Sequence, residues 1–218
     1  MDPGTAELTP DQLLAEEVHA YYDDPLGFVR WAYPWGEAGT VLENETGPDV
    51  WQEDLLRQVG EDVKARGFDG SAPVNPIRHG AVSGHGSGKS ALAAWLRDWI
   101  MSTRPNSKGT ITASTSPQLE TKTWPEMAKW TKLCVTGHWF DVTMGRGSMK
   151  MVHKDNAEGW RCTAQTSREE NSESFAGQHA SDSTSWYLFD EASAIPAKIW
   201  EVAEGGLTDG EQIGRAHV

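Results

Sequence analysis

The sequence predicts an α/β fold with a mainly parallel sheet, preceded by a small helical N-terminal subdomain. Three observations lead there. Beyond residue 76, short apolar runs alternate with stretches of helical period, the pattern of βα units. A glycine-rich octet joins one such strand to one such helix. Further on, a second apolar strand ends in two adjacent carboxylates.

From the N-terminus, residues 10–22 read as a docking helix: Thr9 can cap it, Pro10 suits its first turn, and Leu13, Leu14 and Val18 make one apolar stripe. Residues 24–36 are aromatic-rich and broken by proline and glycine, which suits a packed loop. A second helix spans 50–66, with Trp51, Leu55, Leu56 and Val59 inward, and Gly67 ends it. The core then runs as a strand over 77–82, a helix over 89–101, a strand over 109–113 and a helix over 117–133. A hairpin over 150–153 and 160–166, a strand over 185–189 and a helix over 196–204 complete it. This divides the chain into a helical segment, 1–75, an α/β core, 76–212, and a short tail, 213–218.

At 218 residues the chain can bury one good core, or a core with a small appendage, and 11 tryptophans with 38% hydrophobic content belong to a folded protein. No apolar run reaches the length of a membrane span, and the acidic N-terminus lacks the basic and apolar regions of a secretory signal. No membrane association is expected. Cys134 and Cys162 make no metal-ligand spacing; one bridge is the most they could form, and they read as free thiols of a reducing cytoplasm.

The net charge of -13 argues against a nucleic-acid partner until its distribution is considered. Residues 1–70 carry 16 acidic and 4 basic side chains, a balance of -12. From 104 to 168 there are 10 basic and 5 acidic side chains, a balance of +5. Local field governs contact with a phosphate backbone, so this stretch can lie along one, although a solvated mixed surface has the same composition.

The octet Ser83-Gly84-His85-Gly86-Ser87-Gly88-Lys89-Ser90 stands between strand and helix. Its glycines let the backbone curl so that successive N–H groups point inward, and the next helix adds its positive end, together making an anion nest. Gly84, Gly86, Ser87, Gly88, Lys89 and Ser90 would line it; Lys89 would reach the β and γ phosphates of ATP, and the Ser90 hydroxyl would hold Mg²⁺. A glycine-rich turn capping a helix is the bland alternative. The second constellation, Trp186-Tyr187-Leu188-Phe189-Asp190-Glu191, argues against it. In a P-loop NTPase core that strand lies beside the first, so Asp190 would support the metal held by Ser90 while Glu191 polarises the attacking water. Alone, the acidic pair would read as a helix cap; together the two motifs point to a water-attacking ATPase.

With those residues in place, nearly the whole chain resembles the large terminase subunit of tailed bacteriophages, the ATP-driven motor that packs viral DNA. Ser83–Ser90 is similar to that family's variant phosphate loop, in which serine or alanine replaces the leading glycine. The strand-end segment Ile111-Thr112-Ala113-Ser114-Thr115-Ser116-Pro117-Gln118-Leu119, the segment Ser174-Phe175-Ala176-Gly177-Gln178-His179-Ala180 and the acidic Leu188-Phe189-Asp190-Glu191-Ala192 resemble family motifs as well. Trp51-Gln52 resembles the motif that reads the adenine edge, which implies Gln52 as the base contact. Many members carry an arginine where this chain has His85. The resemblance then implies either that His85 works protonated as a catalytic group, or that an arginine elsewhere serves, with Arg146, Arg161 and Arg168 as the unranked choices.

The same resemblance implies double-stranded DNA as a partner, contacted by basic residues such as Lys122, Lys129 and Lys132. It also implies a portal or procapsid, a small terminase subunit, a homo-oligomeric ring and the host cytoplasm as the place of work. A nuclease domain is expected after the ATPase in such proteins. The final Ile213-Gly214-Arg215-Ala216-His217-Val218 reads as a translated sequencing adapter, to be left out of fold reasoning. A helicase-like DNA-dependent ATPase, or a module that binds nucleotide without turnover, are the competing readings.

Overall fold

The computed structural model describes residues 8–67, 75–82, 84, 86–145, 148–175, 184–205 and 207, with residues 169, 171, 216 and 217 described by backbone alone. Helices α1 (Pro10–His19), α2 (Pro25–Ala32) and α3 (Val50–Ala65) precede a short strand β1 (His79–Gly80). Helix α4 (Lys89–Thr103) leads to β2 (Lys108–Ala113). A helical turn α5 (Ser116–Gln118) passes through a π-turn (Leu119–Thr123) into α6 (Trp124–Leu133). Strands β3 (Phe140–Thr143), β4 (Lys150–His153), β5 (Arg161–Thr166) and β6 (Ser185–Phe189) come next, then α7 (Ala197–Gly205) and a two-residue strand β7 (Ala216–His217).

The expected first helix forms with its Thr9 cap: Thr9 and Gln12 close a reciprocal capping box and Pro10 opens the first turn. The aromatic segment expected as a loop is instead helix α2. Its start was encoded in Asp24-Pro25, because the Asp24 carboxylate accepts a hydrogen bond from the Gly27 N–H at 2.9 Å and proline occupies the first position. Phe28 and Val29 are then buried on one face.

The strands are ordered β1-β7-β6-β2-β5-β4-β3. The β6–β2 and β2–β5 pairs are parallel, whereas β5–β4 and β4–β3 are antiparallel. The sheet is therefore mixed, and a mainly parallel arrangement is met only on one side of β5. Strand β3 has no counterpart in the sequence reading. The strand expected over 77–82 contracts to two residues, paired among the described residues with β7, itself two residues long.

Alternation along β6 divides the interior in two. Trp186 and Leu188 face the main core, with α1 to α4 and α6, while Tyr187 and Phe189 face a second cluster with Phe175, Ile195, Ile199, Ala203 and Leu207. The N-terminal helices share the main core with α4: Trp99 Nε1 donates to the Tyr21 carbonyl at 2.7 Å. Arg104 donates to the Tyr22 carbonyl at 2.7 Å, its guanidinium over the Tyr22 and Trp99 rings. Arg104 is thus buried, and the basic stretch has one cation fewer to offer a phosphate backbone.

Helix α4 also carries a buried ion pair, Arg97 Nη2 to Asp98 Oδ1 at 2.7 Å. Arg97 donates further to the Met127 carbonyl at 2.8 Å and to Thr131 Oγ1, and the Tyr33 hydroxyl donates to Asp98 Oδ2 at 2.9 Å. Those bonds offset only part of the desolvation, since Arg97 Nη1 is buried with no partner among the described residues and burial still raises the Asp98 carboxyl, but they tie α4 to α6. Cys134 and Cys162 are free and buried, and burial pushes both thiols up to about 12.

In the centre of the sheet Gly109 lies in register with Trp186, and a Cβ at Gly109 would stand 2.0 Å from the indole ring. Gly109 therefore makes room for the largest side chain of β6. Gly109→Val is expected to lower stability by about 2–3 kcal/mol through overpacking, read as a shift of the urea midpoint with unchanged slope.

Candidate functional site

The parallel part of the sheet decides where the chemistry-bearing segments emerge. Strands β1, β7, β6, β2 and β5 run in one direction, so their carboxyl ends share one edge, the edge at which open α/β sheets hold ligands. Ala216 and His217, set aside in the sequence reading as part of an adapter-derived tail, instead form β7 within the sheet. Gly80 and Phe189 both register with His217, which places them level across it. The loop after Gly80 and the acidic pair after Phe189 therefore leave the same edge. One strand, β7, stands between them where direct adjacency was expected, so the separation is two strand spacings, about 10 Å.

Gly86 and Gly88 have φ of +77° and +85°, the left-handed region that glycine enters without steric cost. Gly88 is the N-cap of α4 and offers no side-chain cap, so the first N–H groups of the helix have no side chain from that position across them. Lys89 Nζ donates to the Gly84 carbonyl at 2.8 Å and Ser87 Oγ to the same oxygen at 2.9 Å. The ammonium thus lies over the loop, and Ser90 sits partly buried on the first helical turn beside it. Ser83 and His85 lie outside the described residues.

Asp190 extends the parallel ladder by one bond, its N–H donating to the Thr112 carbonyl at 2.8 Å. Its carboxylate accepts from Gln118 Nε2 at 3.3 Å and from the Thr123 hydroxyl, and both bonds fall on Oδ2. Neither bond uses Oδ1. Glu191 is exposed and adopts φ 52°, ψ 51°, a left-handed conformation uncommon outside glycine and frequent at functional positions.

Gln118 falls in the strand-end segment singled out in the sequence, but Thr123 carried no signal there. It lies in a stretch read as one continuous helix. The π-turn inserts one residue and advances the helical phase by about 100°, which brings Thr123 round to Asp190. Gln52, on the first turn of α3, is 4% exposed and donates through Nε2 to the Gly88 carbonyl at 2.9 Å.

The arginines that sequence left unranked separate by topology. Arg161 opens β5 and so stands at the opposite edge of the sheet, and Arg146 lies outside the described residues. Arg168 comes after β5 on the shared edge, but four strand spacings, about 19 Å, separate β5 from β1. Among the described residues no cluster of three or more histidine, cysteine, aspartate or glutamate side chains forms a metal cage. The hard oxygens of Ser90 and Asp190 fit a magnesium ion that takes its remaining ligands from substrate phosphates and water.

No family model matches the chain. In an alignment of 190 positions that covers 81% of this chain and 33% of the relative, it is 26% identical to the "Probable terminase, large subunit" of Enterobacteria phage P7. Among solved structures, the HK97 bacteriophage large terminase superposes with a TM-score of 0.56 over 90% of this chain and 37% of its own, at 12% identity. That likeness shows the fold. The ATPase domain of the Thermus phage P74-26 large terminase is more distant, at TM-score 0.44 and 22% identity over 65% of this chain and 59% of its own. The resemblance to large terminase subunits carried by the motifs is borne out, with the chain corresponding to about a third of the curated relative's length, 33%.

Thr123→Val keeps the shape of the side chain and removes the hydroxyl that holds Asp190. A loss of about 1 kcal/mol in urea unfolding is expected, as for one hydrogen bond to a partly buried carboxylate.

Proposed function

We propose that this chain is the ATP-hydrolysing motor portion of a phage DNA-packaging terminase large subunit. The observation that supports the reading is the shared edge: Gly80 and Phe189 stand level, so the loop carrying Lys89 and the pair Asp190-Glu191 follow strands that end on the same side of the sheet. The 26% identity to a probable terminase large subunit supports it.

In this reading the triphosphate of ATP settles against the loop from Gly84 to Ser90. Lys89 exchanges the Gly84 carbonyl for the β and γ phosphate oxygens, a charge-assisted bond in place of a neutral acceptor. Ser90 and Asp190 hold Mg²⁺, which supplies neutralisation of the phosphate charge. With Oδ2 engaged by Gln118 and Thr123, Asp190 presents Oδ1 to the ion's water shell. Glu191, exposed beside it, orients and polarises the attacking water and takes its proton. His85 is proposed to add a hydrogen bond to the developing γ-phosphate charge.

The motor's track is double-stranded DNA. Lys122, Lys129 and Lys132 are exposed on the π-turn and α6, the segment that also carries Thr123 to Asp190. Lys129 is paired with Glu126 at 3.2 Å, so Lys122 and Lys132 are the stronger candidates for phosphate contacts, which carry no sequence information and suit translocation. A procapsid portal, a small terminase subunit, a ring of identical subunits and a nuclease activity in the longer protein belong to the same proposal, as does assembly in the host cytoplasm. Among the described residues no helix is long and apolar enough to cross a membrane.

ATP hydrolysis measured with and without double-stranded DNA tests the reading. Lys89→Ala is expected to abolish nucleotide binding and turnover together. Glu191→Gln is expected to keep binding while lowering turnover at least about 100-fold, the usual contribution of a general base. Tight ATP binding with no turnover in the unmodified chain would leave a nucleotide-binding module instead.

A further inference from the structure

Gln52 stands at the meeting point of two helix starts. Its Oε1 accepts from the Asp49 N–H at 2.7 Å, completing the capping box of α3, and its Nε2 donates to the Gly88 carbonyl at 2.9 Å. The amide has only one orientation compatible with both partners, since a flip would set N–H against N–H and oxygen against oxygen. The amide is buried, so a nucleobase edge reaches it only if the bond to Gly88 opens.

The partner is not an arbitrary carbonyl. The Gly88 oxygen belongs to the same planar peptide as the Lys89 N–H, and the two point in opposite directions. That oxygen is also the first acceptor of α4, taking the Leu92 N–H at 3.1 Å. Fixing it on the helix side aims the Lys89 N–H into the loop, and the extra donated bond polarises the peptide towards a stronger donor. The approach is close: a Cβ at Gly88 would stand 2.6 Å from Gln52 Nε2, so glycine is needed there for this contact as well as for its φ of +85°.

We propose that Gln52 is a positioning residue for the phosphate loop, holding the Gly88–Lys89 peptide in its phosphate-binding orientation, and is not the reader of the adenine base. Helix α3 then acts as a brace on the loop, and its capping box is part of the nucleotide site. The inference rests on the phosphate-binding role given above to the loop.

The test compares binding of ATP, GTP and inorganic tripolyphosphate, each with magnesium, to the full 218-residue chain and to Gln52→Glu by calorimetry. The substitution keeps the oxygen that caps α3 and replaces the donor by an acceptor facing the Gly88 carbonyl. All three ligands are expected to weaken by a common factor of about tenfold, with the ATP-to-GTP ratio unchanged. A loss confined to ATP, with tripolyphosphate unaffected, would show a base reader and overturn the proposal. A fall in the thermal midpoint with all three affinities intact would show a helix cap alone and overturn it equally. If circular dichroism shows that Gln52→Glu does not fold, Gln52→Met, uncharged and similar in length, carries the same comparison. Failure of the unmodified chain to bind any of the three removes the phosphate-loop reading itself, and this inference with it.

Discussion

Helix α4 is buried from Leu92 to Thr103, and the structure is organised by that burial. A helix apolar on one stripe would need a single covering layer; this one is covered all round, by α1, α2 and α6 and by the sheet. The glycine-rich loop proposed to hold phosphate is the N-terminal continuation of this helix, so it is mounted on a deeply enclosed element. The cost of enclosing polar side chains is met in part locally. Arg97 and Asp98, both buried, pair with each other and bond to Tyr33, the Met127 carbonyl and Thr131, so removing either charge would leave the other buried and unpaired.

Enclosure of α4 also explains the N-terminal segment. Alone, α1 to α3 have too little apolar surface for a stable core, but each finds a face against α4 or its neighbours. Trp99 and Arg104 reach back to the carbonyls of Tyr21 and Tyr22. Tyr33 and Trp35 pack against Trp95, and with Trp130 they form an aromatic wall between α2 and α6. The strongly acidic N-terminal stretch thus presents its charge outward while its aromatic residues complete the core.

On the sheet, β6 performs two tasks through one alternation. Trp186 and Leu188 close the main core against α4, Tyr187 and Phe189 found a smaller one with α7, and the strand's end releases Asp190 at the ligand edge. Asp190 is then held by residues that arrive from across β2: Gln118 shortly after the strand, and Thr123 through a π-turn. Two donors on one oxygen fix the orientation of that carboxylate.

The alternating elements, the capped start of α1, the glycine-rich loop and the acidic strand end are legible in the amino-acid order, because each rests on local chemistry. Thr9 caps the helix that begins at Pro10, glycine permits the positive φ of residues 86 and 88, and the apolar run from Trp186 to Phe189 makes a buried strand. Tertiary structure alone decided the rest. It completed the helix over 25–32, whose start Asp24-Pro25 encodes locally, by burying Phe28 and Val29. It set the sheet as mixed and placed β7 between β1 and β6, because strand pairing is chosen by partners distant in sequence. It turned Thr123 towards Asp190 and Gln52 towards Gly88. Those contacts span 67 and 36 positions of chain, and no periodicity within a single element encodes an encounter between two elements.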